Sequence, residues 1–169
     1  QQHGIDFMLD MVLNHCSIEH EWFQKALAGH SYYQDFFILR DEPTDWLSKF
    51  GGSAWAPFGD TGKYYLHLFD ITQADLNWRN PNVRQELFNV VNFWRDKGVK
   101  GFRFDVINLI GKDEVLEDCP GNDGKPAYTD KPIVHDYLHM MNAATFGEDD
   151  SFMTVGEMSA TTIENCILY

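Results

Sequence analysis

Three short, largely apolar runs, each closing on polar side chains, constrain the fold of this chain more than any other feature. Residues 5–13 lead into Asn14-His15, residues 99–106 carry Arg103 and Asp105 near their end, and residues 152–157 finish on Glu157. Runs of this length and texture fit strands buried on both faces, the kind found in parallel sheets. Ahead of the second run, Asn80 is suited to cap a helix whose first position is Pro81, where a missing N–H costs nothing. Val83, Leu87, Val90, Val91 and Trp94 then recur at helical spacing, and Gly98 ends the segment. A second helix is expected over residues 132–144 and another from Thr161. Strands alternating with helices imply an α/β fold with a parallel sheet and right-handed crossovers, either a barrel or an open doubly wound sheet.

Residues 16–78 break that alternation. Aromatic stretches at 32–39 and 64–69 are punctuated by Asp41-Glu42-Pro43, Gly51-Gly52 and Gly59-Asp60-Thr61-Gly62. The pattern predicts a small irregular unit containing a hairpin, with Tyr64-Tyr65-Leu66-His67-Leu68-Phe69 as its clearest strand. At 169 residues the chain suffices for one ordinary domain but falls short of the ~250 of a whole α/β barrel. Three strands cannot close one. The polar start, Gln1-Gln2-His3-Gly4, shows neither a Met nor a leader pattern, so the chain reads as the middle of a longer protein.

Charge and cysteine usage narrow the partners. Asp and Glu number 26 against 13 Lys and Arg, a net charge of −13 that disfavours phosphate backbones and anionic membranes. No apolar run nears the ~18 residues of a membrane span. Cys16, Cys119 and Cys166 are odd in number and lack CxxC spacing, which speaks against a disulfide framework or a thiolate zinc site and fits a reducing cytoplasm. The histidines form no HExxH pattern, and His135 and His139, four apart, read as surface or packing residues. No metal or cofactor is expected.

Chemistry is expected where the strands end. C-terminal strand ends of a parallel α/β sheet share one face, which would set Asp105 and Glu157 side by side. Two carboxylates so placed suit glycoside cleavage, one ionised and one keeping its proton. Arg103, two residues before Asp105, points to the same side of its strand and would hold that carboxylate ionised. Glu157 has no cation adjacent in sequence, so burial would raise its pKa. The same pattern also fits helix caps, a structural ion pair, or Mg²⁺ ligation by carboxylates on successive barrel strands.

Three motifs make the reading specific. Asp10-Met11-Val12-Leu13-Asn14-His15, Gly101-Phe102-Arg103-Phe104-Asp105 and Val155-Gly156-Glu157 resemble, in order, three short motifs of the α-amylase superfamily, glycoside hydrolase family 13. Gln73-Ala74-Asp75-Leu76-Asn77-Trp78, and Val106 after Asp105, resemble its oligo-1,6-glucosidase branch. Within that branch, Tyr128-Thr129-Asp130, His135, Leu138-His139 and residues 153–162 are most similar to members that cleave a phosphorylated disaccharide, trehalose 6-phosphate. Neighbours acting on isomaltose-type sugars, the oligo-1,6-glucosidases and dextran glucosidases, share the catalytic motifs.

The resemblance implies a partial TIM (β/α)8 barrel. Residues 1–15 would form the region of strand 3, residues 16–78 an inserted irregular α+β domain B, and residues 79–169 helix 3 to the start of helix 5. Strands 1 and 2 would precede Gln1, and a third catalytic carboxylate would lie beyond Tyr169. The resemblance also assigns Asp105 as nucleophile, Glu157 as acid/base, and Arg103 and His15 as substrate-binding residues, Arg103 orienting Asp105 and His15 donating to the glucose of the −1 subsite. Asn14 and Asp10 are expected to be scaffold. Cys16 stands where Thr is usual, and nothing catalytic is read into it. Phe50, Trp55, Tyr65 and Phe69 are candidates for stacking on sugar faces, though most such aromatics would pack the insert. The implied partner is a small carbohydrate in the cytoplasm, with neither nucleic acid nor membrane. In the remaining alternative the barrel is a non-enzymatic partner domain, as in some transporter heavy chains; these typically lose the two carboxylates and carry a membrane span.

Overall fold

The computed structural model describes residues 4–169; the polar start at residues 1–3 lies outside the described residues. The first apolar run becomes strand β1 (Met8–Val12), which continues through Leu13 and Asn14 into a short strand β2 (His15–Ser17). Then comes the irregular stretch: helices α1 (Glu21–Leu27) and α2 (Ser31–Gln34) and strands β3 (Leu39–Arg40), β4 (Trp55–Pro57), β5 (Tyr64–Leu66) and β6 (Gln73–Asp75). The expected hairpin is there: β5 pairs antiparallel with β4 on one side and β3 on the other. β2 pairs antiparallel with β6, so the chain enters and leaves this stretch through two strands bonded to each other. A long excursion whose ends meet leaves the flanking sheet undisturbed.

Helix α3 (Pro81–Asp96) follows, with the Asn80 side chain accepting from the Asn82 N–H and Gly98 in the left-handed region beyond it. Its buried stripe is Val83, Leu87, Phe88 and Val91. Trp94, expected on that stripe, stays 39% exposed. Strand β7 (Gly101–Asp105) comes next, then the one-turn helix α4 (Lys125–Tyr128), helix α5 (Ile133–Ala144), strand β8 (Met153–Gly156) and the short helix α6 (Ile163–Cys166). Gly124, ahead of α4, cannot be replaced without a clash: a Cβ there would lie 2.3 Å from the Trp46 ring.

β1, β7 and β8 form a parallel sheet in the order β1-β7-β8. Alternation along β7 sends Phe102 and Phe104 to one face, where they are buried with Met11 of β1 and with Val91, Tyr137 and Met141 of α3 and α5. Arg103 and Asp105 face the other way. Expectation and structure part here, since the runs were read as strands buried on both faces. On the second face Val12 is 42% exposed, and the edge strand β8 leaves Val155 45% and Met153 62% exposed. Apolar patterning reports what a strand is built to bury, and in a barrel that includes neighbours brought in by other strands.

Candidate active site

The register of the sheet assembles the site. Asp10 of β1 pairs with Arg103, Val12 with Asp105, and Phe104 with Gly156, so Asp10, Arg103 and Asp105 share the open face with Glu157 just past the end of β8. One guanidinium meets all three carboxylates. Arg103 Nη1 lies 2.5 Å from Asp10 Oδ1 and 3.1 Å from Asp105 Oδ1, and Nη2 lies 3.8 Å from Glu157 Oε2. The hydrogen bonds to Asp10 and Asp105 raise the Arg103 pKa further, so its charge is permanent.

Glu157 therefore differs from the expectation. It has a cation beside it, Arg103, and its side chain is 40% exposed, against 26% for Asp105. Burial without a charged neighbour is not its situation. Arg103 sits 54 positions earlier in the chain, and only the pairing of β7 with β8 brings it near. Glu157 is instead held by backbone: Oε2 accepts from the Val106 N–H at 2.9 Å, its own N–H donates to Phe104 O, and its carbonyl accepts from the Ile107 N–H. Val106 adopts φ 40°, a left-handed conformation that is costly for a β-branched residue. That turn, directly after Asp105, aims its N–H at Glu157. Nothing in the local sequence signals it.

His15, the first residue of β2, is buried, its ring tilted against Phe69 with centroids 5.2 Å apart. Nε2 lies 3.1 Å from Gln73 Nε2, and Nδ1 lies 3.3 Å from Asn14 Nδ2. A neutral ring accepts at one of these nitrogens, an imidazolium at neither. Accordingly, burial lowers the His15 pKa, with Asp75 and Asp105 opposing and Lys112 adding to the fall. Donation from Nε2 to a sugar requires the Gln73 amide to turn aside.

Beneath His15 lies a network that sequence reading missed. The Lys112 ammonium, nearly inaccessible, donates to Asn14 Oδ1 (2.8 Å) and Leu109 O (2.8 Å) and pairs with Asp75 Oδ1 (2.9 Å). Asn14 Nδ2 donates to Asp75 Oδ1, and Asp75 Oδ2 accepts from the Leu68 N–H. A buried charge pair with its other hydrogen bonds satisfied joins β1, β6 and the segment after β7, which gives Asn14 its scaffold role. Its members are far apart in sequence, so no local pattern announces it. Among the described residues, no group of three or more His, Cys, Asp or Glu is placed to hold a metal. Cys16 is inert, its thiol pushed up to about 12 by burial and by Asp75.

The aromatic candidates divide. Trp55 and Tyr65 are buried in the core, whereas Phe50 is 71% exposed and packs edge-on against Phe69, beside His15. Asp130 gathers Asn108, Thr161 and Asn165, and Asn108 in turn clamps both backbone polar groups of Ser159. The two segments singled out at 128–130 and 153–162 thus meet. His135 packs on Tyr169, and His139 is exposed.

Parallel strands end here in a carboxylate cluster, and comparison with known proteins identifies the family. The model of the α-amylase catalytic domain matches residues 1–169, and the chain belongs to that family. Its sheet and flanking helices are an α/β portion of the family's barrel. Trehalose-6-phosphate hydrolase of Bacillus subtilis (strain 168) is 51% identical over 96% of this chain, and oligo-1,6-glucosidase of Parageobacillus thermoglucosidasius is 44% identical over 98%. The solved trehalose-6-phosphate hydrolase of Bacillus licheniformis superposes with a TM-score of 0.94 at 50% identity, covering 99% of this chain. The chain spans 30 to 32% of the length of these three proteins. No helix among the described residues is long and apolar enough to cross a membrane.

Proposed function

We propose that this chain supplies part of the catalytic domain of a retaining α-glucoside hydrolase that converts trehalose 6-phosphate to glucose and glucose 6-phosphate. The observation that carries the chemistry is the single Arg103 guanidinium in contact with both strand-end carboxylates. Asp105, the less exposed and the more closely paired with Arg103, is the nucleophile. Its oxygen attacks the anomeric carbon while Glu157 protonates the departing oxygen, forming a glycosyl-enzyme; Glu157 then deprotonates water, which attacks the same carbon and releases the sugar. Arg103 holds Asp105 in line, and His15 donates to the −1 glucose. The choice of substrate is supported by about half the residues being identical to trehalose-6-phosphate hydrolases.

In this reading, residues 1–15 make up the region of strand 3 of the barrel, residues 16–78 are its domain B, and residues 79–169 run from helix 3 to the start of helix 5. The paired β2 and β6 suit an insertion whose two ends return to one place. The reaction takes place in the cytoplasm.

The full-length protein should hydrolyse trehalose 6-phosphate with a far higher kcat/KM than trehalose or isomaltose, and added salt should narrow the gap. Isomaltose as the best substrate would move the protein to the oligo-1,6-glucosidase type and leave Asp105 and Glu157 in place.

A further inference from the structure

Two lysines lie near the candidate site, and they are used differently. Lys112 spends its donors on Asn14, Leu109 and Asp75. Lys49, from the segment between β3 and β4, makes one side-chain hydrogen bond, to Ser159 Oγ at 3.1 Å, and no ion pair among the described residues. An ammonium has three N–H donors, so two remain. Its surroundings are aromatic: Nζ lies 5.9 Å from the Phe69 ring centre and 5.6 Å from that of Tyr128. The Tyr128 hydroxyl is itself buried without a partner. Burial pulls the Lys49 pKa down, helped by Lys125, while Glu157 and Asp75 pull it up.

The placement of Lys49 defines what it can read. The Phe69 ring lies 5.2 Å from the His15 ring, centre to centre, and 5.9 Å from Lys49 Nζ, so one aromatic ring neighbours both Lys49 and the residue assigned to the −1 glucose. Its one partner, Ser159, lies two residues past Glu157 on backbone clamped by Asn108. In the proposed mechanism Glu157 serves the leaving oxygen, so Lys49 is tied through Ser159 to the residue that meets the leaving sugar.

We propose that Lys49 is the anion-reading residue of the site, receiving the phosphate monoester carried by the leaving sugar. The inference rests on the trehalose 6-phosphate reading. A compact ammonium with two donors to spare, beside two aromatic rings, suits a phosphate dianion, which it meets as a point charge. The chain's net charge of −13 makes such a cation more necessary, because a dianion is otherwise repelled.

The test uses the full-length protein with Lys49→Met, which keeps an unbranched stem against Phe69 and Tyr128, and with Lys49→Arg and Lys49→Gln. Trehalose 6-phosphate and p-nitrophenyl α-glucoside are compared, with thermal melts as the folding control. Lys49→Met should lower kcat/KM for the phosphorylated sugar roughly 10- to 100-fold more than for the aryl glucoside, chiefly through KM, and Lys49→Arg should recover most of the loss. An unchanged ratio of the two substrates, whether both rates fall or neither does, overturns the proposal and leaves Lys49 as a prop for Ser159. Should Lys49→Met fail to fold, Lys49→Gln decides on the same ratio. A wild-type preference for isomaltose defeats the substrate reading instead; inhibition by glucose 6-phosphate relative to glucose, in wild type and variant, then still decides the role of Lys49.

Discussion

The parallel sheet and the irregular stretch between β1 and α3 handle their apolar residues in opposite ways. In the irregular stretch Phe36, Trp46, Phe58, Leu66 and Leu68 are inaccessible, packed on one another, on the sheet's helical side and on the segment after β7. The sheet covers only its helical face, and the open face carries Asp10, Arg103 and Asp105, with Met153 and Val155 exposed along the edge. One region is closed and packed, the other open and charged. The lesson is in what holds each: apolar side chains are held by packing, whereas the carboxylates at the strand ends are held by Arg103 and by a backbone N–H. The packed region supplies the neighbours of His15, Gln73 and Phe69.

That division can be broken by measurement in the full-length protein. The largest effect should come from the open face. Asp105→Asn should cost several orders of magnitude in kcat with the melting temperature nearly unchanged, since a carboxamide keeps the shape but cannot form the glycosyl-enzyme. Glu157→Gln should cost ~10²- to 10⁴-fold on the natural sugar and clearly less on p-nitrophenyl glucoside, whose leaving group needs no proton. Equal losses on both substrates would reverse the two roles, and NMR of the first-formed glucose should show retained α-configuration.

The next effect belongs to the packed region. Phe58, inaccessible and edge-on to Phe23 and Tyr65, should cost ~3–5 kcal/mol of stability on replacement by Ala, with kcat per folded molecule preserved. A loss of kcat without a loss of stability would show that the two regions are not separable in this way.

The smallest effect joins them at His15. Its folded pKa lies below the unfolded value near 6.5, so between the two the unfolded chain binds more protons, and stability should fall as pH drops below ~6.5. Melting curves of wild type and His15→Gln at pH 7.5 and 5.5 should show a weaker pH dependence in the variant. An identical dependence would place the sensitive group elsewhere.

Much of this molecule was legible before any coordinates. Asn80-Pro81 and Gly98 bracket α3 because caps are written in adjacent residues, and β1, β7 and β8 lie inside the three apolar runs. Arg103 and Asp105 share a face because a strand repeats every two residues. The uncovered face of the sheet was not legible, since apolar patterning cannot say which neighbour does the covering.

By itself, then, the sequence determined what is local: the order of strands and helices, the caps, and the polar groups waiting at the strand ends. The tertiary structure alone decided what those groups meet. Asp10 reaches Arg103 across 93 positions, Lys112 reaches Asn14 across 98, and Lys49 reaches Ser159 across 110. Strand register and the return of a long excursion create these encounters, and periodicity along the chain carries no information about either. The same holds for Glu157, whose cation and backbone donor both arrive from β7 and the turn that follows it.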